Sequence, residues 1–200
     1  MTRSLNETRP GAGGTLRGPG WRRDLSLHIA GVAFPDTVAV IDGGARRFGP
    51  VRMGEVQAER RVETLPAGLR YVERVQNLTE REIVLSVELR GESLGAVEAA
   101  ERSQIGSPED RWVLTDGVGL VIGGGPRGQG RFLVAAQGRL PEGNTRMFRY
   151  GWTLRLQPGQ RAAMVHMVAP GADAATTAAL LPELGAGLDP QTLAELINLD

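Results

Sequence analysis

The residues of this chain that could carry chemistry are few and scattered. Gly123-Gly124-Gly125-Pro126-Arg127-Gly128 has the spacing Gly-x-Gly-x-x-Gly after the apolar run Gly119 to Ile122. A dinucleotide site needs a helix next, so that its N-terminus faces the pyrophosphate. Gln129 to Gln137 reads instead as a strand, and Pro126 interrupts the loop, so Gly123 to Gly130 is expected to be a hairpin loop that holds no cofactor. His28 and His166 are the only histidines. They lack the HxH or HExxH spacing of a metal site, and no Gly-x-Ser-x-Gly elbow offers a nucleophile. Both read as structural, and no metal or catalytic residue is expected. The absence of cysteine removes disulfides, thiolate metal sites and a Cys nucleophile.

The remaining cluster is Glu109, Asp110 and Asp116 around Trp112. Paired carboxylates beside an aromatic ring are what glycoside hydrolysis uses. A flat Trp112 ring with Asp110, Arg111 and Asp116 as hydrogen-bond partners is also what a carbohydrate-binding surface uses. The same residues fit a solvated loop beside a core tryptophan. No DxDxDG loop is present to bind calcium. Trp152 stands in an apolar stripe with Tyr150 and Leu154 and reads as core.

Strands must position all of these. The clearest organising stretch is Arg70 to Gly91, read as strand, polar connection, strand. Ile83, Leu85, Val87 and Leu89 alternate with Val84, Ser86, Glu88 and Arg90, a period of two that gives one apolar face. Leu69, Tyr71 and Val75 share a face that Glu73 interrupts, and in the connection Asn77 and Thr79 can bond their own backbone. Val56 to Leu65 and Leu69 to Val75 read as a hairpin or meander across Pro66-Ala67-Gly68, and Thr37 to Ile41 as a short apolar strand. Asp116-Gly117 between Trp112–Thr115 and Val118–Ile122 signals a two-residue hairpin turn. Phe148, Tyr150, Trp152, Leu154 and Leu156 form the most regular alternation in the chain. Pro158-Gly159 then sets a type II turn, and Arg161 to Ala169, apolar on both faces, belongs in the middle of a sheet.

The ends differ from this body. Residues 1–20 hold five glycines and two prolines, and read as a flexible tail or linker with few contacts to the domain beginning at Trp21. Ala172 to Leu184 is Ala- and Leu-rich and reads as one helix; Asp189-Pro190 supplies a cap and first-turn proline for a second, Gln191 to Leu199. The expected fold is therefore an all-β, two-sheet antiparallel β-sandwich over residues 21–200 with two short C-terminal helices within 172–199.

Composition narrows the function. At 200 residues the chain can bury a core without staples, and its formal net charge of zero recruits neither nucleic acid nor an anionic membrane. All 23 basic residues are arginine. Residues 1–20 contain no apolar signal-peptide core, which points either to a cytoplasmic protein or to a piece of a longer exported chain.

The segments RYVERVQNLTEREIVLSVELRGESLG, DRWVLTDG, YGWTLRLQPGQRAAMVHMVA and LPELGAGLDPQTLAELINLD, in that order, resemble a β-sandwich module with a terminal helical segment. That module occurs in large multidomain bacterial cell-surface and extracellular proteins, and the resemblance runs over Trp21 to Asp200. It implies a non-enzymatic building block of the cell exterior, without assigned activity. Such a module is expected to associate with itself or with sister modules through open sheet edges. Edge strands are usually blunted by Lys or by inward charges, of which Glu73 is a candidate here. A carbohydrate-binding module using Trp112 is the second reading, and a glycan-acting hydrolase the third.

Overall fold

The computed structural model describes residues 9–17, 21–66, 68–94, 97–100, 112–115, 118–123, 130–140, 143–170 and 186–197. Two antiparallel sheets face each other as a β-sandwich. The first runs β1 (Arg9–Pro10), β2 (Leu16–Arg17), β3 (Trp21–Ile29), β9 (Ile83–Leu94), β14 (Gly143–Leu156), β13 (Gly130–Leu140), with β4 (Val32–Ala33) beside β3. The second runs β10 (Val97–Ala100), β11 (Trp112–Thr115), β12 (Val118–Gly123), β15 (Arg161–Pro170), β8 (Gly68–Asn77), β7 (Val56–Leu65), β6 (Ala45–Met53), β5 (Val40–Asp42).

Period-two alternation explains which side chains meet. Leu25, Leu27 and Ile29 of β3, Val87 and Leu89 of β9, and Trp152, Leu154 and Leu156 of β14 form the inner face of the first sheet. Against them lie Val56, Ala58 and Val62 of β7, Leu69, Tyr71 and Val75 of β8, and Met164 and Val168 of β15. The alternating faces of β14 separate cleanly, with Thr153 and Arg155 exposed between buried Trp152, Leu154 and Leu156. As its apolar composition requires, β15 is central, paired to β12 on one side and β8 on the other.

Both polar connections of the central region cross between sheets. The chain passes from β8 in the second sheet to β9 in the first, and from β14 in the first back to β15 in the second. Asn77 ties the two crossings together. Its Nδ2 donates to the carbonyls of Arg81 (2.7 Å), Leu156 (3.1 Å) and Gln157 (3.1 Å), while its Oδ1 accepts from the backbone N–H (2.8 Å) and hydroxyl (2.7 Å) of Thr79. At the second crossing Gly159 has φ 72°, and the N–H of Gln160 donates to the Gln157 carbonyl at 3.0 Å, as a type II turn requires.

Two expectations are corrected. Residues 9–17 are not a loose tail. Leu16 is buried in the common core, and a 3-10 turn at Ala12–Gly14 seats two buried glycines over Phe48 and Arg60. The Gly13 N–H donates to the Thr37 carbonyl at 3.1 Å, and its own carbonyl accepts from Arg60 Nη1 at 3.3 Å. Glycine is what makes this possible: Gly13 and Gly14 have φ 61° and 70°, and a Cβ on Gly14 would lie 2.6 Å from Arg60 Cδ. Residues 1–8 and 18–20 lie outside the described residues.

The second correction concerns Thr37 to Ile41. Strand β5 begins only at Val40, and Val38, Val40 and Ile41 are exposed at the margin of the second sheet instead of entering the core.

The second expected helix is present as α1 (Pro190–Ile197); the first, over Ala172 to Leu184, lies outside the described residues. Asp189 caps α1, its Oδ1 accepting from the Thr192 N–H at 2.8 Å and its Oδ2 from the Thr192 hydroxyl at 2.6 Å. Those bonds from Thr192 hold the Asp189 carboxyl below its usual range. No helix among the described residues is long and apolar enough to cross a membrane.

Candidate functional site

Of the residues singled out for carbohydrate contact, Trp112 opens β11 at a register position opposite Ala100 and Val121. Asp110, Arg111 and Asp116 lie outside the described residues. Of the glycine-rich stretch, residues 124–129 lie outside the described residues; strand β13 starts at Gly130, where a pyrophosphate-binding turn would lead into a helix. His28 sits on β3 with its Nε2 3.0 Å from the Ser26 hydroxyl.

His166 belongs to a cluster that the sequence did not assemble. On the inner face of the second sheet, Arg60 of β7 stands opposite Glu73 of β8, and Tyr71 stands opposite His166 of β15. All four are buried, with Arg60 at 1% and Glu73 at 0% exposure. Arg60 Nε donates to both Glu73 oxygens, at 2.9 and 3.0 Å, and Nη2 adds a third bond at 2.6 Å. The Tyr71 and His166 rings stack at 4.6 Å between centroids and 8° between planes, with the Arg60 guanidinium 5.1 Å from the Tyr71 centroid.

Burial sets the electrostatics of this cluster. It lowers the His166 pKa well below the usual imidazole value, and the positive charge of Arg60 works in the same direction. Burial likewise raises the Tyr71 hydroxyl above its usual range. For Glu73, burial raises the pKa and the guanidinium in contact with both oxygens opposes it. Glu, His, Tyr and Arg together resemble acid–base machinery, yet the cluster is sealed between the sheets and under the Gly13–Gly14 turn. The Arg60 and Glu73 charges satisfy each other there, while the Tyr71 hydroxyl and both His166 ring nitrogens are buried without a hydrogen-bond partner among the described residues.

One sign of this pair was present in the sequence. Glu73 interrupts an apolar face, and Arg60 interrupts the alternation of Val56, Ala58 and Val62. Both stand equally far from the Leu65–Gly68 turn, so the hairpin register alone makes them cross-strand partners. Glu73 is thus an inward charge of a central strand and guards no sheet edge.

The outer face of the same sheet holds a second, accessible arrangement. Arg74 of β8 donates to Glu195 (2.9 Å) and Thr192 of α1, to Glu59 of β7 (3.3 Å) and to Asp189 (3.5 Å). Arg70, four residues earlier on the same face, bonds Glu63 at 2.6 Å and the carbonyl of Ala186. Two arginines therefore fasten the C-terminal segment to the sheet. Beside Arg74 the segment leaves a polar cavity of about 310 Å³ between itself and β7, β8 and β15.

No protein-family model matches the chain, and no curated relative matches it in sequence. Among solved structures, a polysaccharide lyase is similar at TM-score 0.53 and 13% identity, over 92% of this chain and 35% of that one. A heparinase III gene product is similar at TM-score 0.50 and 12% identity, over 76% of this chain and 24% of that one. At these identities the likeness is one of fold. The chain spans about a quarter to a third of the length of these structures.

Proposed function

We propose that the chain is a non-enzymatic structural and interaction module of a glycan-related bacterial assembly at or beyond the cell surface. It joins a second copy or a sister module through the β5 edge of its second sheet. The observation that carries this reading is the edge itself. Val38 is 91%, Ile41 68% and Val40 54% exposed, on or beside a strand that ends the second sheet and, among the described residues, has no further strand on its outer side. Edge strands of soluble monomers are usually blunted by Lys or by inward-pointing charges. This edge has no Lys, and its Asp42 is engaged by Arg47 at 3.8 Å.

Three further observations support the reading. The buried Arg60–Glu73–Tyr71–His166 cluster, which has the chemical make-up of a catalytic group, has no access to solvent. The similar lyase and heparinase structures match this fold over only about a quarter to a third of their own length. The sequence resemblance to modules of exported bacterial chains points the same way.

Sedimentation velocity at neutral pH over a wide concentration range tests it. The wild-type chain is expected to gain mass with concentration, and Ile41→Arg and Val38→Arg are expected to shift it toward monomer without lowering its melting temperature. A strict monomer at every concentration would overturn self-association.

A further inference from the structure

The polar cavity on the outer face of the second sheet is built in a regular way. Gln57 of β7, Gln76 of β8 and Arg161 of β15 are direct cross-strand neighbours, so they form one row across three strands. In the next row Glu59 faces Arg74. Asp189 and Gln191, at the start of α1, make the opposite wall. The row spans two interstrand spacings, about 10 Å, which is the length of a disaccharide.

The lining is balanced in charge and mixed in hydrogen-bonding character. Glu59 and Asp189 are offset by Arg74 and Arg161, and three carboxamides add donors and acceptors, although Gln76 already donates one N–H to the Gly159 carbonyl at 3.3 Å and Gln191 one to Glu195 at 2.9 Å. Arg74 is already engaged by Glu59, Asp189 and Glu195. No hydrogen bond or ion pair joins the Gln57 or Arg161 side chain to another described residue. Arg161 is exposed and Gln57 half-buried, so neither is required to hold the fold together.

We infer that this cavity binds a short neutral saccharide, its hydroxyls laid along the Gln57–Gln76–Arg161 row and closed in by Asp189 and Gln191. Hydroxyl groups both donate and accept, so a polyol can satisfy alternating amides, carboxylates and guanidinium groups at once. A nucleotide would need a stacking surface and an excess of positive charge, and a peptide anchor would need an apolar pocket; the lining side chains offer neither. The inference concerns a different surface from the β5 edge, so either can fail without the other.

Titration of the isotopically labelled full chain with maltose, cellobiose and lactose, followed by backbone amide NMR shifts, tests it. The expected result is saturable shifts, with at least one of the three sugars, confined to the strands and segment around Gln57, Gln76, Arg161 and Gln191. Gln57→Ala and Arg161→Ala are each expected to weaken that binding about tenfold while leaving the melting temperature unchanged. No saturable shift with any of the three sugars would overturn the inference. Binding that both variants leave intact would overturn it too, as would binding of a hexuronate disaccharide when the neutral sugars do not bind.

Discussion

Arg60 and Glu73 are joined by three bonds between 2.6 and 3.0 Å with essentially no solvent contact. Their attraction has to offset a large desolvation cost, so the pair as a whole contributes little net stability, but breaking it strands one charge in the core. Glu73→Gln and Arg60→Met are each expected to lose about 3–5 kcal/mol in denaturant unfolding. The double variant Arg60→Met, Glu73→Leu should recover most of that loss. Single variants no less stable than the wild type would show that the pair is not held as a buried ion pair.

The neighbouring His166 makes the same core sensitive to acid. Its pKa in the folded protein lies below the unfolded value, so as pH falls the unfolded chain takes up the proton first. The stability it contributes is complete above the unfolded imidazole pKa, about 6.5, and is lost below it. The slope approaches about 1.4 kcal/mol per pH unit. The groups facing it are Tyr71, Glu73 and Arg60, and of these only Glu73, with its Oε1 3.8 Å from Nδ1, would favour the imidazolium. His166→Phe keeps a ring on Tyr71 and should flatten the stability profile between about pH 5 and 6.5. An unchanged slope in that variant would place the acid sensitivity elsewhere.

At the level of elements, the strands were legible where alternation was strict and one face was dry. Ile83 to Leu89 and Phe148 to Leu156 declared themselves, and Trp152 is indeed core. The capped helix α1 followed from Asp189-Pro190. What alternation could not reveal is which sheet a strand joins, because both crossings look in sequence like ordinary turns. Nor could composition reveal the seating of residues 9–17. Their glycines, which read as disorder, provide the left-handed backbone that fits against Arg60 and Phe48. Gly14→Val is therefore expected to destabilise the protein by at least about 1–3 kcal/mol, through overpacking and backbone strain. Deleting residues 1–17 should cost more still, because it removes Leu16 from the core and a hydrogen bond from Arg60. A melting temperature unaffected by the deletion in a dilute sample would restore the picture of a dispensable tail. Of the candidate site, Arg60 and Glu73 were recoverable from hairpin register. The outer cavity was not, because Asp189 and Gln191 reach β7 and β8 only through tertiary packing.

For the whole molecule, the question is whether two sheets mean two independently stable units. The core argues for one. Buried residues of β3, β9 and β14 and those of β7, β8 and β15 form a single apolar cluster that also contains Leu16. The chain threads it repeatedly, crossing between sheets after Asn77 and again after Leu156, and Asn77 hydrogen-bonds at both crossings. Neither sheet can leave the other without exposing its whole inner face, and at roughly 25 cal/mol per Å² that exposure far exceeds the few kcal/mol by which a domain is stable. Unfolding is therefore expected to be a single cooperative transition. Tryptophan fluorescence, which includes Trp152 in the first sheet, and far-ultraviolet dichroism, which reports all strands, should give coincident denaturation curves. Trp152→Ala, on the first sheet, and Glu73→Gln, on the second, should each move that one transition to lower denaturant, the former by about 3–5 kcal/mol. Curves that separate, or a Glu73→Gln effect that splits off a second transition, would mean that the sheets unfold in turn. In that event Asn77→Ala, which cuts the tie between the crossings, should widen the separation.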